Sequence, residues 1–194
     1  MPTPAAQIEG WRSNDMEATG MIAVARGRHV IFGTGPVVAA LAHAMEQSVR
    51  SVISIPVNEY GSDPYGVAIM RGDPTDLEFA RKACSGAEAI YSCLNGPIND
   101  WKSTYESIVD TLIESARTTF AKLVHWDLAH IYGATCEPIT KSTVNSAKTS
   151  QAQVLIDLSD KVIDATWVGQ IDGVIGRLAK RFNVGAFSLE NTSL

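Results

Sequence analysis

HVIFGTGPVVAALAHAM, residues 29–45, decides how this chain is read. RHVIFG (28–33) reads as a buried strand, Gly33-Thr34-Gly35 as a turn, and residues 36–47 as a helix with Val37, Leu41, Ala44 and Met45 on one face. Strand, glycine turn and helix in that order is the setting in which backbone N–H groups and a helix N-terminus cradle a pyrophosphate. In that turn the first glycine permits the bend and the second lets phosphate approach the backbone. The third lets the helix pack close to the strand. Gly33 and Gly35 fill the first two places, and Val38 stands at the third. A branched side chain there must push the helix outward or find a pocket. A plain glycine-rich turn with no ligand is the alternative reading.

Outward from that turn the pattern repeats. SVISIPV (51–57), VAIMRG (67–72), AEAIYSCL (87–94) and AKLVHWDL (121–128) read as strands. DPTDLEFARKA reads as a helix entered through Asp-Pro, with Leu77, Ala80 and Ala83 on one face. Residues 98–118 give the clearest helix: Trp101, Tyr105, Ile108, Leu112 and Ala116 recur at steps of three and four. Strands alternating with helices at this spacing predict a doubly wound, mostly parallel α/β sheet in a single domain, residues 27–194. Residues 1–26 are expected to be a flexible arm. Beyond residue 130 the chain reads as helical. Leu155, Leu158, Val162 and Ala165 mark one helix, and Ile171, Val174, Ile175, Leu178 and Phe182 a second, with TWVGQI (166–171) an alternative short strand.

Composition narrows the function. The 194 residues carry a net charge of −5 and 45 % hydrophobic residues. No cluster of Lys and Arg exceeds two, so nucleic acid is excluded as a partner. Cys84, Cys93 and Cys136 are odd in number and lack metal-ligand spacing, which predicts idle thiols and no metal site. The first 28 residues hold Glu9, Asp15 and Glu17 and no long apolar run, so neither a signal peptide nor a membrane anchor is expected, and the protein is placed in the cytoplasm. In the dinucleotide pattern an acid that grips the adenosine ribose stands about 20 residues beyond the turn. Here Ile55, Pro56 and Val57 occupy that region, and Asn58 and Glu59 come slightly late.

HVIFGTGPVVAALAHAM, VAIMRGDPTDLEFARKA, AEAIYSCLNGP and LVHWDLAHIYG, taken in order over roughly residues 28–165, resemble the NAD-dependent epimerase/dehydratase family. These are extended or atypical short-chain dehydrogenase/reductases. The resemblance implies a Rossmann-like fold and NAD(P) as cofactor. It implies that Gly33, Thr34, Gly35, Pro36 and Val37 face the pyrophosphate. Asp73 beside Pro74 would contact adenine, and Leu94, Asn95 and Gly96 would lie along the nicotinamide-side ribose. Tyr132-Gly133 matches the family's Tyr-Gly pair after the fifth strand.

The family's chemistry is not matched. Its oxidoreductases hold the substrate oxygen with a Ser or Thr at the end of the fifth strand, and transfer the proton from a Tyr-x-x-x-Lys tyrosine. Leu128 stands at the hydroxyl position, no tyrosine follows Tyr132, and Val144 precedes Lys148 where the dyad's tyrosine would be. Family members also continue past this length to build a substrate lobe. Candidates for other chemistry lie at the carboxyl ends of the strands. Tyr91, Cys93 and Asn95 follow the fourth strand, and His125, Asp127, His130 and Tyr132 the fifth. Alternation puts His125 and Asp127 on one side, where they could form an oriented general base. The alternatives are a core histidine, a loop or capping acid, and Tyr132 as a wall. Trp101 and Trp126 line a pocket or belong to the core.

Three functions follow as expectations. The first is a non-redox enzyme acting on a small organic molecule by isomerisation, dehydration or cyclisation, a chemistry suited to specialised metabolism. The second is an NAD(P)-dependent oxidoreductase or epimerase with a different proton donor. The third is a non-catalytic nucleotide-binding or regulatory module. Apolar faces on the C-terminal helices would leave a surface for a homodimer.

Overall fold

In the computed structural model the described residues are 27–33, 35–46, 51–57, 67–94, 101–133 and 138–178, with only the backbone described for Pro36, Glu46 and Trp101. They form a six-stranded parallel sheet. The chain runs β1 (Arg28–Phe32), α1 (Pro36–Glu46), β2 (Val52–Ile55), β3 (Ala68–Ile69), α2 (Leu77–Cys84) and β4 (Ala87–Ser92), then α3 (Trp101–Thr119), β5 (Lys122–Leu128), α4 (Ser150–Trp167) and β6 (Gly173–Leu178). The spatial order β3-β2-β1-β4-β5-β6 reverses direction between β1 and β4, which sets the switch point beside the glycine turn.

Every residue of β1 is buried, as a central strand covered on both faces requires. Val30, Phe32, Ile90 and Leu123 face the main core with Tyr105, Ile108 and Leu112 of α3 and Leu158 and Val162 of α4. Ile31 faces the other way, toward Val38 of α1. α1 is turned slightly from its expected face: Val38, Ala42 and Met45 are buried, Val37 and Leu41 half-buried, and Ala44 exposed. Asp73-Pro74 does not open α2. It forms a turn, and the helix cap is Asp76, whose carboxylate accepts the Glu78 N–H at 2.9 Å. The third strand shrinks from VAIMRG to two residues.

The largest departure from the sequence reading lies at the C-terminal end. Residues expected as a second helix form β6, paired with β5 from Leu123↔Gly173 to Leu128↔Leu178. Two glycines explain it. Both are poor in a helix, and both fill sites where a side chain would collide. A Cβ at Gly173 would come within 2.1 Å of Thr166 Oγ1, and one at Gly176 within 3.1 Å of the Trp126 ring. Val174 and Ile175 between them are β-branched and suit a strand. TWVGQI is not a strand either. It ends α4, and Gly169 at φ +71° turns the chain while Gln170 N–H bonds Ala165 O at 2.9 Å. Phe182 and the expected arm, residues 1–26, lie outside the described residues.

Candidate functional site

Gly33 ends β1 in a space that admits no side chain. Its φ is +140°, and a Cβ would sit 2.5 Å from the Cys93 carbonyl oxygen. Its N–H bonds Ile55 O at 2.9 Å, and its carbonyl accepts the buried Ser54 hydroxyl at 3.0 Å. Gly35 (φ +115°) is the opposite case: a Cβ there would meet nothing within 4 Å. A backbone that is tight at the first glycine and open at the second is what a phosphate seat requires. Pro36 opens α1 where a missing N–H is harmless, and Ala39 N–H closes the first turn on Gly35 O at 3.0 Å. Val38 finds a pocket: it is 1 % exposed, packed on Ile31 and Cys93 with Tyr91 and Trp126 nearby.

The other resemblance-derived positions fare differently. Asp73 is exposed, and its Oδ1 accepts both the N–H and the hydroxyl of Thr75, which holds the carboxyl below its usual range. Pro74 beside it is half-buried. Leu94 sends its side chain into the main core. Ile55, Pro56 and Val57 close β2 with no acid or arginine among them. Thr34, Asn58, Glu59, Asn95 and Gly96 lie outside the described residues.

At the β5–β6 end of the sheet the alternation of β5 sends His125 and Asp127 to the α4 face, both buried. They share that face but not a hydrogen bond, so the expected His–carboxylate pair is not formed. His125 Nδ1 is bonded to Ser92 Oγ at 3.0 Å, and its Nε2 is buried without a partner. Burial pushes the imidazole down to about 4; Asp127 opposes the shift and Arg177 adds to it. It is neutral at pH 7. Asp127 is enclosed by donors instead. Ser159 Oγ of α4 donates to Oδ2 at 2.7 Å, Arg177 Nε of β6 to the same oxygen at 3.3 Å, and Leu128 N–H to Oδ1 at 2.7 Å.

Arg177 carries the network to Tyr132. Its Nη1 donates to the Tyr132 hydroxyl oxygen at 2.6 Å, and the guanidinium carbon lies 5.3 Å from the ring centroid. Tyr132 and Arg177 stand at the wall of a groove of about 840 Å³, with Lys141, Val162, Trp167 and Ile175 among the other lining residues. Arg177, Ser159 and Lys141 were invisible to the sequence reading: Arg177 lies 50 residues from Asp127 and Ser159 lies 32. Only the pairing of β6 with β5, Asp127 opposite Arg177, brings the first pair together.

Several other candidates are engaged elsewhere. Trp126 points away from the groove and packs near Val38. Tyr91 shares a hydrogen bond of 2.9 Å with His29. Burial pushes the Cys84 and Cys93 thiols up to about 12, so neither is a thiolate. Val144 and Lys148 precede the Thr149 cap of α4 and are not on a helix. α4 itself holds no tyrosine, and its one lysine, Lys161, is bonded to Asp110 at 2.7 and 2.8 Å. No helix among the described residues is long and apolar enough to cross a membrane.

No family model matches the sequence, and no curated protein matches it either. Solved structures do. The enzyme WbmH of Bordetella bronchiseptica, in complex with NAD+, superposes with a TM-score of 0.65 at 17 % identity, over 79 % of this chain and 56 % of that one. The dTDP-glucose 4,6-dehydratase of Bacillus anthracis, in complex with NAD, gives 0.69 at 15 % identity, over 77 % and 54 %. The UDP-glucose 4-epimerase of Thermus thermophilus, in complex with NAD, gives 0.67 at 17 %, over 77 % and 54 %. The chain thus spans about half the length of these structures, and it has the Rossmann-like fold that they share.

Proposed function

We propose that this chain is an enzyme of short-chain-dehydrogenase type that rearranges a small organic molecule without net oxidation or reduction, by isomerisation, dehydration or cyclisation. One observation carries the reading. The glycine turn keeps the form of a phosphate seat, while Leu128 and α4 lack the hydroxyl, the tyrosine and the free lysine of the family's proton relay. The similar structures include a dehydratase and an epimerase, whose reactions leave the product at the oxidation level of the substrate.

The seat suits a nicotinamide dinucleotide: the N–H groups of Gly35 and Val37 would hold its pyrophosphate while Gly33 and Pro36 shape the turn, and the group would supply a hydride acceptor and donor. The groove wall supplies the proton chemistry. Arg177 donates to the Tyr132 oxygen, which leaves the phenolic hydrogen free to be given to a substrate oxygen. The guanidinium beside it stabilises negative charge developing there, and Asp127 keeps it in place. β6 stands three strands from β1, roughly 14 Å at ~4.8 Å per strand, so seat and groove lie along one edge of the sheet.

A second reading, an NAD(P)-dependent oxidoreductase or epimerase using Tyr132 as donor, is favoured by the pocket that accepts Val38 without closing the Gly35 approach. Incubation with a panel of small carbonyl compounds in D2O, followed by proton NMR and nicotinamide absorbance together, separates the two. Deuterium uptake that vanishes in Tyr132→Phe, with nicotinamide unchanged, is the expected result. Stoichiometric consumption of nicotinamide overturns the first reading in favour of the second.

A further inference from the structure

We propose that the groove between α4 and β6 binds an organic carboxylate with an apolar body, seated on Arg177. This rests on the reading of Tyr132 and Arg177 as the working wall, and adds to it the chemical class of the ligand. The first observation is charge. The protein carries a net charge of −5, yet among the described residues the only charged ones lining the groove are Arg177 and Lys141. Asp127, the one acid touching Arg177 among the described residues, lies behind it, fully buried.

The second observation is unspent donors. Arg177 has five N–H groups, of which Nε–H goes to Asp127 and one Nη1 hydrogen to Tyr132. The other Nη1 hydrogen and both on Nη2 have no acceptor among the described residues, and the side chain is 25 % exposed. Two fixed points, the carboxylate behind and the phenol beside, hold the guanidinium plane still. A planar fork held so is matched by a carboxylate, which takes two parallel hydrogen bonds from it. Lys141, with no ion pair among the described residues, adds a second positive charge at the rim.

The third observation is the body of the groove. Val162 and Ile163 of α4, Ile175 of β6, Ile139 and Trp167 give it an apolar wall. Trp167 is 84 % exposed and Ile139 45 %, so this wall has no cover among the described residues. An anion without an apolar part would leave it wet, and a neutral hydrocarbon would leave the guanidinium unmatched. Carboxylate at the Arg177 end and hydrocarbon along α4 satisfies both.

The test is calorimetric titration of the full chain with 3-phenylpropanoate, decanoate and 2-naphthoate, each beside its primary amide, and with inorganic phosphate. At least one carboxylate is expected to saturate, with its amide weaker by about tenfold or more and phosphate alone weak. Arg177→Gln is expected to abolish that binding. Lys141→Gln, at an exposed position that cannot unfold the chain, is expected to weaken it several-fold. Equal binding of acid and amide, no saturable binding by any of the three acids, or binding that survives Arg177→Gln in a folded protein overturns the proposal. Inorganic phosphate matching the best carboxylate overturns the carboxylate assignment. NADH titrated into the same preparation reports on the glycine seat separately, so a failure here is distinguishable from a failure there.

Discussion

The two ends of the sheet's carboxyl edge are built by different means. At the β1–β4 junction the device is almost wholly local backbone: Gly33 is wedged against Cys93 while Gly35 faces open space. At the β5–β6 end nothing is local, and Asp127, Tyr132, Ser159 and Arg177 come from two strands, a helix and the turn after β5. A backbone device is specified by steric room and survives many changes around it. A side-chain network is specified by partners and fails when any one is lost. On the function proposed above, the contrast explains how a chain can keep a cofactor-type turn while replacing the proton relay beside it.

The strongest way to break the comparison is at Gly33. Gly33→Ala places a Cβ against the Cys93 backbone at a φ that side chains avoid, and is expected to destabilise by about 4 kcal/mol, overpacking and strain together. Gly35→Ala meets only the strain and is expected to cost about 1 kcal/mol. Thermal melts of the two side by side should differ clearly. Equal losses would mean that the turn is not tight on one side only.

Next in size is Asp127→Ala, which leaves the Ser159 hydroxyl and the Arg177 guanidinium without their acceptor and should cost about 3 kcal/mol. Urea denaturation should show a lower midpoint with an unchanged slope. A loss below about 1 kcal/mol would mean that the network does not hold β6 to α4.

The third sharpens the role of His125. Its folded pKa of about 4 lies below the ordinary 6.5, so the unfolded chain binds the extra proton first. Stability is therefore full above pH 6.5 and falls as pH drops through 6.5 toward 4, by roughly 2–3 kcal/mol at pH 4.5. His125→Asn should flatten that slope in urea titrations across the window. An unchanged slope would assign the acid sensitivity to other groups.

The same division governs what could be read from the sequence. The turn, five of the six strands and the helices α1 to α4 were legible because periodicity and glycine placement are local signals. β6 was not. Ile171, Val174, Ile175 and Leu178 fit a helical spacing by coincidence, and only the packing of Trp126 over Gly176 and Thr166 over Gly173 shows why the segment must be flat. Once β6 was missed, Arg177 had no reason to be placed beside Asp127. His125 and Asp127 were correctly put on one face by alternation, but alternation could not say that Ser92 and Arg177 would take their hydrogen bonds. Val144 and Lys148 lie ahead of α4, which starts only at Ser150.

The central claim is that the Gly33–Gly35 turn remains a dinucleotide seat in a chain without the usual relay. Calorimetric titration with NADH, run on the native chain and on Gly35→Asp, tests it directly. Saturable one-to-one binding that disappears when a carboxylate is set where the phosphates approach is the result predicted. Absence of NADH binding to the native chain, or binding that Gly35→Asp leaves intact, would contradict it.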